Sequence, residues 1–145
     1  MRDTALSNSI DYLINQASRA LRRRFLHYLA QAELPITSEQ WMILVPLWER
    51  DGLVQNTLAT QLHKDKTTIT RLLNTMEAHG LVRREPNAAD RRQRLVFLTD
   101  RAKALQKPVA RIAELVLEEA MEGMPKADVE ACQRVLAHID QQLQE

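Results

Sequence analysis

Residues 65–99 read DKTTITRLLNTMEAHGLVRREPNAADRRQRLVFLT and carry the clearest pattern of secondary structure in the chain. Apolar residues at three- and four-residue steps predict a helix from about Lys66 to His79, with Asp65 as its cap. Leu81 to Glu85 and Arg94 to Leu98 have strand character and flank the basic segment PNAADRRQ. Because a short helix at about 56–62 precedes them, this order predicts a winged helix-turn-helix.

The predicted helix after Asp65 has two different faces. Ile69, Leu72, Leu73 and Met76 cluster on one side and are expected to be buried. The opposite side carries hydroxyl, amide and guanidinium groups and no acid, and these groups can contact base edges and phosphates of double-stranded DNA. The alternative is a solvated face of a packed helix. The candidate DNA-binding residues of this helix are Lys66, Thr67, Thr68, Thr70, Arg71 and Asn74.

The hairpin tip is the second candidate DNA contact. Arg91, Arg92 and Arg94 crowd the tip and its return strand. Arginines on a two-stranded projection are suited to the DNA backbone or to a narrow minor groove, where negative potential is concentrated. Asp90 would repel phosphate, so we expect it to pair with an arginine and brace the wing.

Charge is distributed unevenly along a chain whose net charge is only +1. Residues 63–103 hold 10 basic and 5 acidic side chains, whereas residues 104–145 hold 4 and 8, and residues 1–62 hold 6 and 6. A basic segment that coincides with the candidate contacts is the electrostatic pattern expected of a nucleic-acid-binding protein.

The rest of the chain is predicted to be helical, so the fold class is mainly α with a small β-hairpin wing. A first helix stops before Pro35, a second spans about 38–50 with a Thr37–Gln40 capping box, and a fifth begins after Thr99. The last helix begins at Pro125. The three glycines are expected at helix C′ positions, and helix bends are expected at the two internal prolines: Gly52, Gly80, Gly123, Pro46 and Pro108.

Apolar stripes on the first and last helices predict a homodimer. The stripe of the last helix steps by three and four residues, as in a helix that packs against another helix. A monomer that covers this seam within its own chain is the alternative. The candidate dimerisation residues are Leu6, Ile10, Val129, Cys132, Leu136, Ile139 and Leu143.

Composition argues against several classes of protein. With 45% hydrophobic and 27% charged residues, the 145-residue chain has the composition of one globular domain. No apolar run approaches a membrane span, the start is unlike a signal peptide, and a single cysteine suits the reducing cytoplasm. We expect no catalytic site, no cofactor and no metal site, since there is no phosphate loop or activated nucleophile and the histidines are scattered.

The sequence resembles the multiple-antibiotic-resistance regulator (MarR) family. The matching stretches are ITSEQWMILVPLWERDGLVQNTLATQL, DKTTITRLLNTMEAHGLVRREPN and the wing signature ADRRQRLVFLT, with Asp-x-Arg at Asp90 and Arg92 and Leu-Thr at Leu98 and Thr99. The resemblance covers essentially the whole chain. Two departures are poor helix caps: Val54, so that Asn56 is expected to cap a later start of the third helix, and Met124 before the last helix.

The resemblance implies a dimeric transcription regulator, usually a repressor, that binds pseudo-palindromic DNA. One domain would span 1–145, with a winged helix-turn-helix lobe at about 38–99 and dimerisation helices at about 1–34 and 100–145. By analogy, the threonines together with Arg71 and Asn74 would lie in the major groove and Arg92 at the minor groove, with Asp90 bracing the wing.

Family members often release DNA when a small aromatic or phenolic anion binds between the two regions. The candidate effector residues are His27, Tyr28, Trp41 and Trp48, near the basic run 22–24. The alternative is that both tryptophans are core residues. Cys132 is expected to be a small buried hydrophobe rather than an oxidant sensor.

A protein- or RNA-binding interaction module is the remaining rival function. Such a module should carry large apolar residues on the outer face of the fourth helix, which the sequence does not show.

Overall fold

Six α-helices and one three-stranded sheet make up residues 6–144, the part of the chain that this computed structural model describes. A 3-10 turn at Leu6–Asn8 precedes α1. In chain order the elements are α1 (Ile10–Gln31), α2 (Ser38–Glu49), β1 (Leu53–Val54), α3 (Gln55–Gln61), α4 (Lys66–Ala78), β2 (Val82–Pro86), β3 (Arg94–Leu98), α5 (Asp100–Ala120) and α6 (Lys126–Leu143). The predicted fold class, mainly α with a hairpin wing, is confirmed.

The wing belongs to an antiparallel sheet with the strand order β1-β3-β2. In the hairpin Val82 lies opposite Leu98 and Pro86 opposite Arg94, so the loop between them is the tip. β1 adds a third strand, with Leu53 opposite Val96. β1 is not predictable from the sequence, because two residues are too short for an alternating pattern to be seen.

The core of the winged-helix lobe lies where α2, α3 and α4 meet the sheet. Leu44 and Leu47 of α2, Leu73 of α4 and Val96 of β3 have no accessible surface. Ile69 and Met76 are equally buried, as predicted, but Leu72 is only half-buried because it lies at the edge of the inner face of α4. The amphipathic pattern of α4 therefore fixes which side of this helix faces out.

Side-chain caps fix the start of three helices. Thr37 and Gln40 form the predicted capping box. Asp65 Oδ1 accepts from the Thr68 backbone N–H at 2.6 Å, and Thr99 caps α5. The prediction that Asn56 caps α3 is wrong: α3 begins at Gln55 without a side-chain cap, because the chain passes directly from the paired strand β1 into the helix.

Helix C-termini are formed mostly without glycine. Glu33, His63 and Gly80 follow α1, α3 and α4 with positive φ of 56°, 51° and 73°. Each is followed by a residue whose N–H donates to the carbonyl five residues earlier, as in a Schellman motif. Gly80 is thus the predicted C′ residue, whereas Gly52 and Gly123 are not C′ residues and lie in the turns after α2 and α5.

α1 and α5 extend the same hydrophobic core. α1 and α5 pack on each other, and Leu29 of α1 and Val109 of α5 are fully buried. α1 begins at Ile10 rather than at Leu6, which lies in the 3-10 turn. All of α6 lies within the described residues, and no residue in it is buried.

Candidate nucleic-acid interface

The outer face of α4 forms a shallow groove that is open to solvent. We call its six lining residues the α4 face: Lys66, Thr67, Thr70, Arg71, Asn74 and Thr75. Five of them are exposed and Thr70 is half-buried. Thr68 is placed differently, since it is half-buried beside the neighbouring cleft towards α2. The structure therefore brings together five of the six predicted residues of this helix.

The polar groups of the α4 face are held by neighbours. The Thr70 hydroxyl donates to the Lys66 carbonyl at 2.8 Å and accepts from Gln55 Nε2 at 3.0 Å. Arg71 lies 3.7 Å from a carboxylate oxygen of Glu39 on α2, with both side chains more than half exposed. The Arg71 guanidinium thus keeps its donors available to another acceptor.

Asn74 has a partner on the wing. Arg84 Nη2 donates to Asn74 Oδ1 at 2.5 Å, while Arg84 Nε donates to Glu77 Oε2 at 3.1 Å. The Arg84 side chain is only 9% exposed. Sequence reasoning missed Arg84 and Gln55. The alternation of the predicted strand places Arg84 on the same face as the apolar Val82, but it does not show the contact with α4.

The Asp65 carboxylate caps the N-terminus of α4 and places a negative charge there. The hydrogen bond from the Thr68 backbone N–H, assisted by the Thr68 side chain, holds the pKa of the Asp65 carboxyl below its ordinary value. Asp65 therefore stays ionised and compensates the positive end of the helix.

The tip of the wing is built around Asp90. Its Oδ1 accepts from the Arg92 backbone N–H at 3.1 Å and from Arg92 Nε at 3.2 Å. Asn87 N–H donates to the Gln93 carbonyl across the loop. Arg92 is nonetheless 90% exposed in its side chain. Arg91 and Arg94 are exposed as well, so the tip presents three guanidinium groups to solvent.

Comparison with known proteins decides the family. The MarR family sequence profile matches residues 36–93. The transcriptional regulator HosA of Escherichia coli O157:H7 is 36% identical over 110 residues, which cover 74% of this chain and 82% of HosA. The chain belongs to the MarR family. The HTH-type transcriptional regulator TtmR of Methylorubrum extorquens is 35% identical over 102 residues, which span 70% of this chain but about half, 51%, of TtmR.

Solved structures show the same fold. The MarR-type chain superimposes with a TM-score of 0.83 on the transcriptional repressor CouR bound to a 23-mer DNA duplex, at 24% identity, covering 97% of this chain and 98% of CouR. CouR from Rhodococcus jostii RHA1 bound to p-coumaroyl-CoA gives a TM-score of 0.79 at 22% identity, covering 94% of each chain.

A cavity of about 290 Å³ lies between α1, α2 and α5 of this MarR-family chain. We call it the interlobe cavity. Phe25 and Trp41 line it with ring centroids 4.8 Å apart, and Arg22 contributes a cation. Its lining is mainly apolar, completed by Ser18, Leu21, Ser38, Met42, Ala113, Val116 and Leu117.

The other predicted effector residues do not line the interlobe cavity. Trp48 packs edge-on against Trp41 and donates its indole N–H to the Ala102 carbonyl at 3.0 Å. Tyr28 donates to Glu119 Oε2 at 2.5 Å, and this hydrogen bond raises the pKa of the Tyr28 hydroxyl. His27 is exposed beside Tyr28. The expectation is corrected for these three residues, because Trp48 and Tyr28 are held by contacts with α5 and His27 is exposed to solvent.

The apolar stripes of α1 and α6 line a second, larger groove of about 560 Å³. We call its residues the α1–α6 face: Ile10, Leu13, Ile14, Ala17, Ser18, Leu21, Cys132, Val135 and Leu136. Of the other predicted dimerisation residues, Val129 and Ile139 are half-buried, and Leu6 and Leu143 are exposed. The expectation that Cys132 is buried is wrong for the single chain, because no part of the described chain covers this face.

Within residues 6–144, no group of three histidine, cysteine, aspartate or glutamate side chains is placed to hold a metal ion. No helix among these residues has the length and apolar character needed to cross a membrane.

Proposed function

We propose that this MarR-family chain is a transcription regulator that binds double-stranded DNA. The observation that carries the proposal is the α4 face, open to solvent and lined by hydroxyl, amide and cationic groups, next to a wing with three exposed arginines. Major-groove base edges are read by these side-chain types, and arginine is favoured in the minor groove. α4 enters the major groove, and the wing contacts the adjacent backbone or minor groove.

Each part of the interface has its own role in this proposal. Arg71 and Asn74 read base edges, and Lys66 and the threonines contact bases or phosphates. Arg91, Arg92 and Arg94 supply the wing contacts. Asp90 braces the tip, since it accepts two hydrogen bonds from Arg92 while leaving the guanidinium exposed.

The working unit is a homodimer formed through the α1–α6 face. Leu136 and Ile10 are 42% and 56% exposed although they lie in one apolar groove. A second copy covers this face best, because a two-fold axis brings identical apolar stripes together. The lobe of residues 38–99 then binds one half-site, with α1, α5 and α6 setting the half-site distance at about one helical turn, roughly 34 Å.

The proposed regulator responds to an aromatic anion in the interlobe cavity. Phe25 and Trp41 offer ring surfaces and Arg22 offers a cation, a combination suited to an aromatic carboxylate. Because the cavity lies between the dimerisation helices and the DNA-binding lobe, a ligand that favours another lobe spacing lowers the affinity for DNA. The protein acts in the cytoplasm as a repressor, and binding of this ligand releases it from DNA.

An enzyme and a protein-binding module are less well supported. The α4 face is a shallow surface rather than a cleft with a nucleophile and a base. A protein-binding face would carry large apolar residues at its centre, and those of α4 point inward to the core.

The test of DNA binding is fluorescence anisotropy with inverted-repeat duplexes from beside the gene. Salt-dependent binding with a specific sequence preference is expected. Arg71→Ala should relax the base preference, whereas Arg92→Ala should weaken binding to all sequences. Parent-like binding by both variants would show that these contacts are assigned wrongly.

The test of effector binding adds aromatic carboxylic acids to the DNA complex. An acid that fits the interlobe cavity should release DNA from the wild type and from Arg23→Gln, whose residue does not line the cavity, and less readily from Arg22→Gln. Failure of every acid to release DNA, or equal responses of the two variants, would contradict the proposal.

A further inference from the structure

Arg84 links the wing to α4 through a nearly buried guanidinium. It extends from β2, is 9% exposed in its side chain, and donates to one residue on each of two successive turns of α4. Glu77 supplies a carboxylate at 3.1 Å, and Asn74 supplies its amide oxygen at 2.5 Å. The guanidinium fork is planar and rigid, so two such contacts fix its orientation.

The contact determines which way the Asn74 amide faces. Guanidinium carries five donors and no acceptor. A flipped amide would place the Asn74 NH₂ group against the N–H donors of Arg84, which is repulsive. With the oxygen held towards Arg84, the NH₂ group points away, and one lone pair of the oxygen stays unused.

Resting on the proposed DNA-binding function, we propose that Arg84 is a positioning residue that sets the base specificity of Asn74. An amide held in one orientation presents an N–H donor and a neighbouring acceptor, the pattern that pairs with N7 and N6 of adenine. Without Arg84 the amide samples both orientations, and the flipped one offers these two groups in reversed order. Arg84 contacts no base in this proposal and acts through Asn74.

The neighbouring residue Arg83 provides a matched control. It lies on the same strand but stacks over the Phe97 ring at 4.6 Å and pairs with Glu85. Arg83→Met and Arg84→Met therefore remove the same charge from the same strand. Only Arg84→Met removes a contact with α4.

The first experiment compares base preferences by sequencing duplexes selected from a random library. For Arg84→Met, the preference at the base pair read by Asn74 should fall by about fivefold or more, the lower end of what one bidentate contact contributes. Arg83→Met should keep the parent preference, and Arg84→Lys, which can still donate to Asn74, should keep part of it. In an Asn74→Ala background, Arg84→Met should cause no further loss of preference.

The second experiment needs no DNA and separates this inference from the proposed function. The side-chain NH₂ signals of Asn74, assigned by their absence in Asn74→Ala, should shift in the ¹H–¹⁵N spectrum of Arg84→Met and stay in place in Arg83→Met. Thermal unfolding of all variants shows whether the fold is retained. If the wild-type protein bound no duplex, the proposed DNA-binding function would be wrong, but this spectrum would still test whether Arg84 orients Asn74.

Three results would overturn the inference. One is unmoved Asn74 signals in a folded Arg84→Met protein. Another is uniform weakening on all sequences with unchanged preference, which would make Arg84 a general DNA or folding contact. The third is an equal loss of preference in the Asn74→Ala background, since the effect would then not pass through Asn74.

Discussion

Replacement of Arg92 by alanine should reduce the salt dependence of DNA binding by a calculable amount. Arg92 is 90% exposed at the wing tip, where a phosphate can reach it without displacing core residues. Each phosphate contact contributes about 0.9 to the slope of log K against log salt. A dimer carries the substitution twice, so the slope should fall by about 1.8.

This change in slope predicts how the ratio of the variant and wild-type dissociation constants depends on salt. Between 50 mM and 200 mM salt, the ratio of variant to wild-type dissociation constants should shrink by about 12-fold. Fluorescence anisotropy over that range with one duplex measures it. Arg111→Ala is the charge-matched control, because Arg111 lies on α5 and pairs with Glu114 and Glu118. Its slope should equal that of the wild type.

Replacement of Asp90 by asparagine distinguishes two roles of this residue, since they predict opposite changes in the affinity for DNA. Pure electrostatics predicts that Asp90→Asn strengthens DNA binding, since a negative charge is removed next to phosphate. A brace predicts weaker binding, because a neutral amide oxygen accepts from Arg92 Nε, 3.2 Å away from Asp90 Oδ1 in the wild type, less strongly than a carboxylate, so that the tip is less ordered. An unchanged slope for Arg92→Ala, together with tighter binding by Asp90→Asn, would refute this account of the wing.

Three further predictions concern assembly and stability. Leu136→Lys should shift the protein to monomers in sedimentation velocity, because it places a charge in the α1–α6 face. Met124→Lys lies outside that face and should leave a dimer. A dimeric Leu136→Lys protein would exclude this interface. Gly52→Ala should cost more in chemical unfolding than Gly123→Ala. Both residues have positive φ, worth about 1 kcal/mol, but a Cβ at Gly52 would lie 2.8 Å from the Phe97 ring and add about 1–3 kcal/mol, so equal losses would contradict the packing argument. The Asp65 cap should stabilise the fold above the ordinary carboxyl pKa of 3.8 and lose its effect as pH falls through the lower folded value. The melting temperature should therefore decrease more between pH 5 and acidic pH for the wild type than for Asp65→Asn. Equal decreases would show that the ionised Asp65 cap does not stabilise the fold.

Much of the fold could be predicted because local signals agreed with one another. The sequence predicts Thr37, Asp65 and Thr99 as caps, and their side chains make the expected hydrogen bonds. The inner face of α4 was readable because its apolar residues follow the helical period. Helix C-termini are harder to predict, since Glu33 and His63 adopt the left-handed conformation that is usually expected only of glycine.

The site could be predicted only as a set of outward-facing residues. Sequence spacing placed Asn74 and Arg71 on one face, but it could not show that Arg84, ten residues later, reaches back to Asn74. Likewise, Trp41 and Trp48 looked equivalent from their spacing of seven. The structure separates them, since the indole of Trp48 donates to the Ala102 carbonyl and only Trp41 lines the interlobe cavity. Such assignments depend on contacts between distant segments.

DNA binding by a dimer through its two α4 faces is tested by the selection of duplexes from a random library by the wild-type protein. Binding through two α4 faces related by a two-fold axis predicts an enriched inverted repeat whose half-site centres lie about 10 base pairs apart. Arg71→Ala should lose the preferred base within each half-site while keeping that spacing. Recovery of no common sequence, or of a single half-site without its inverted copy, would contradict the account.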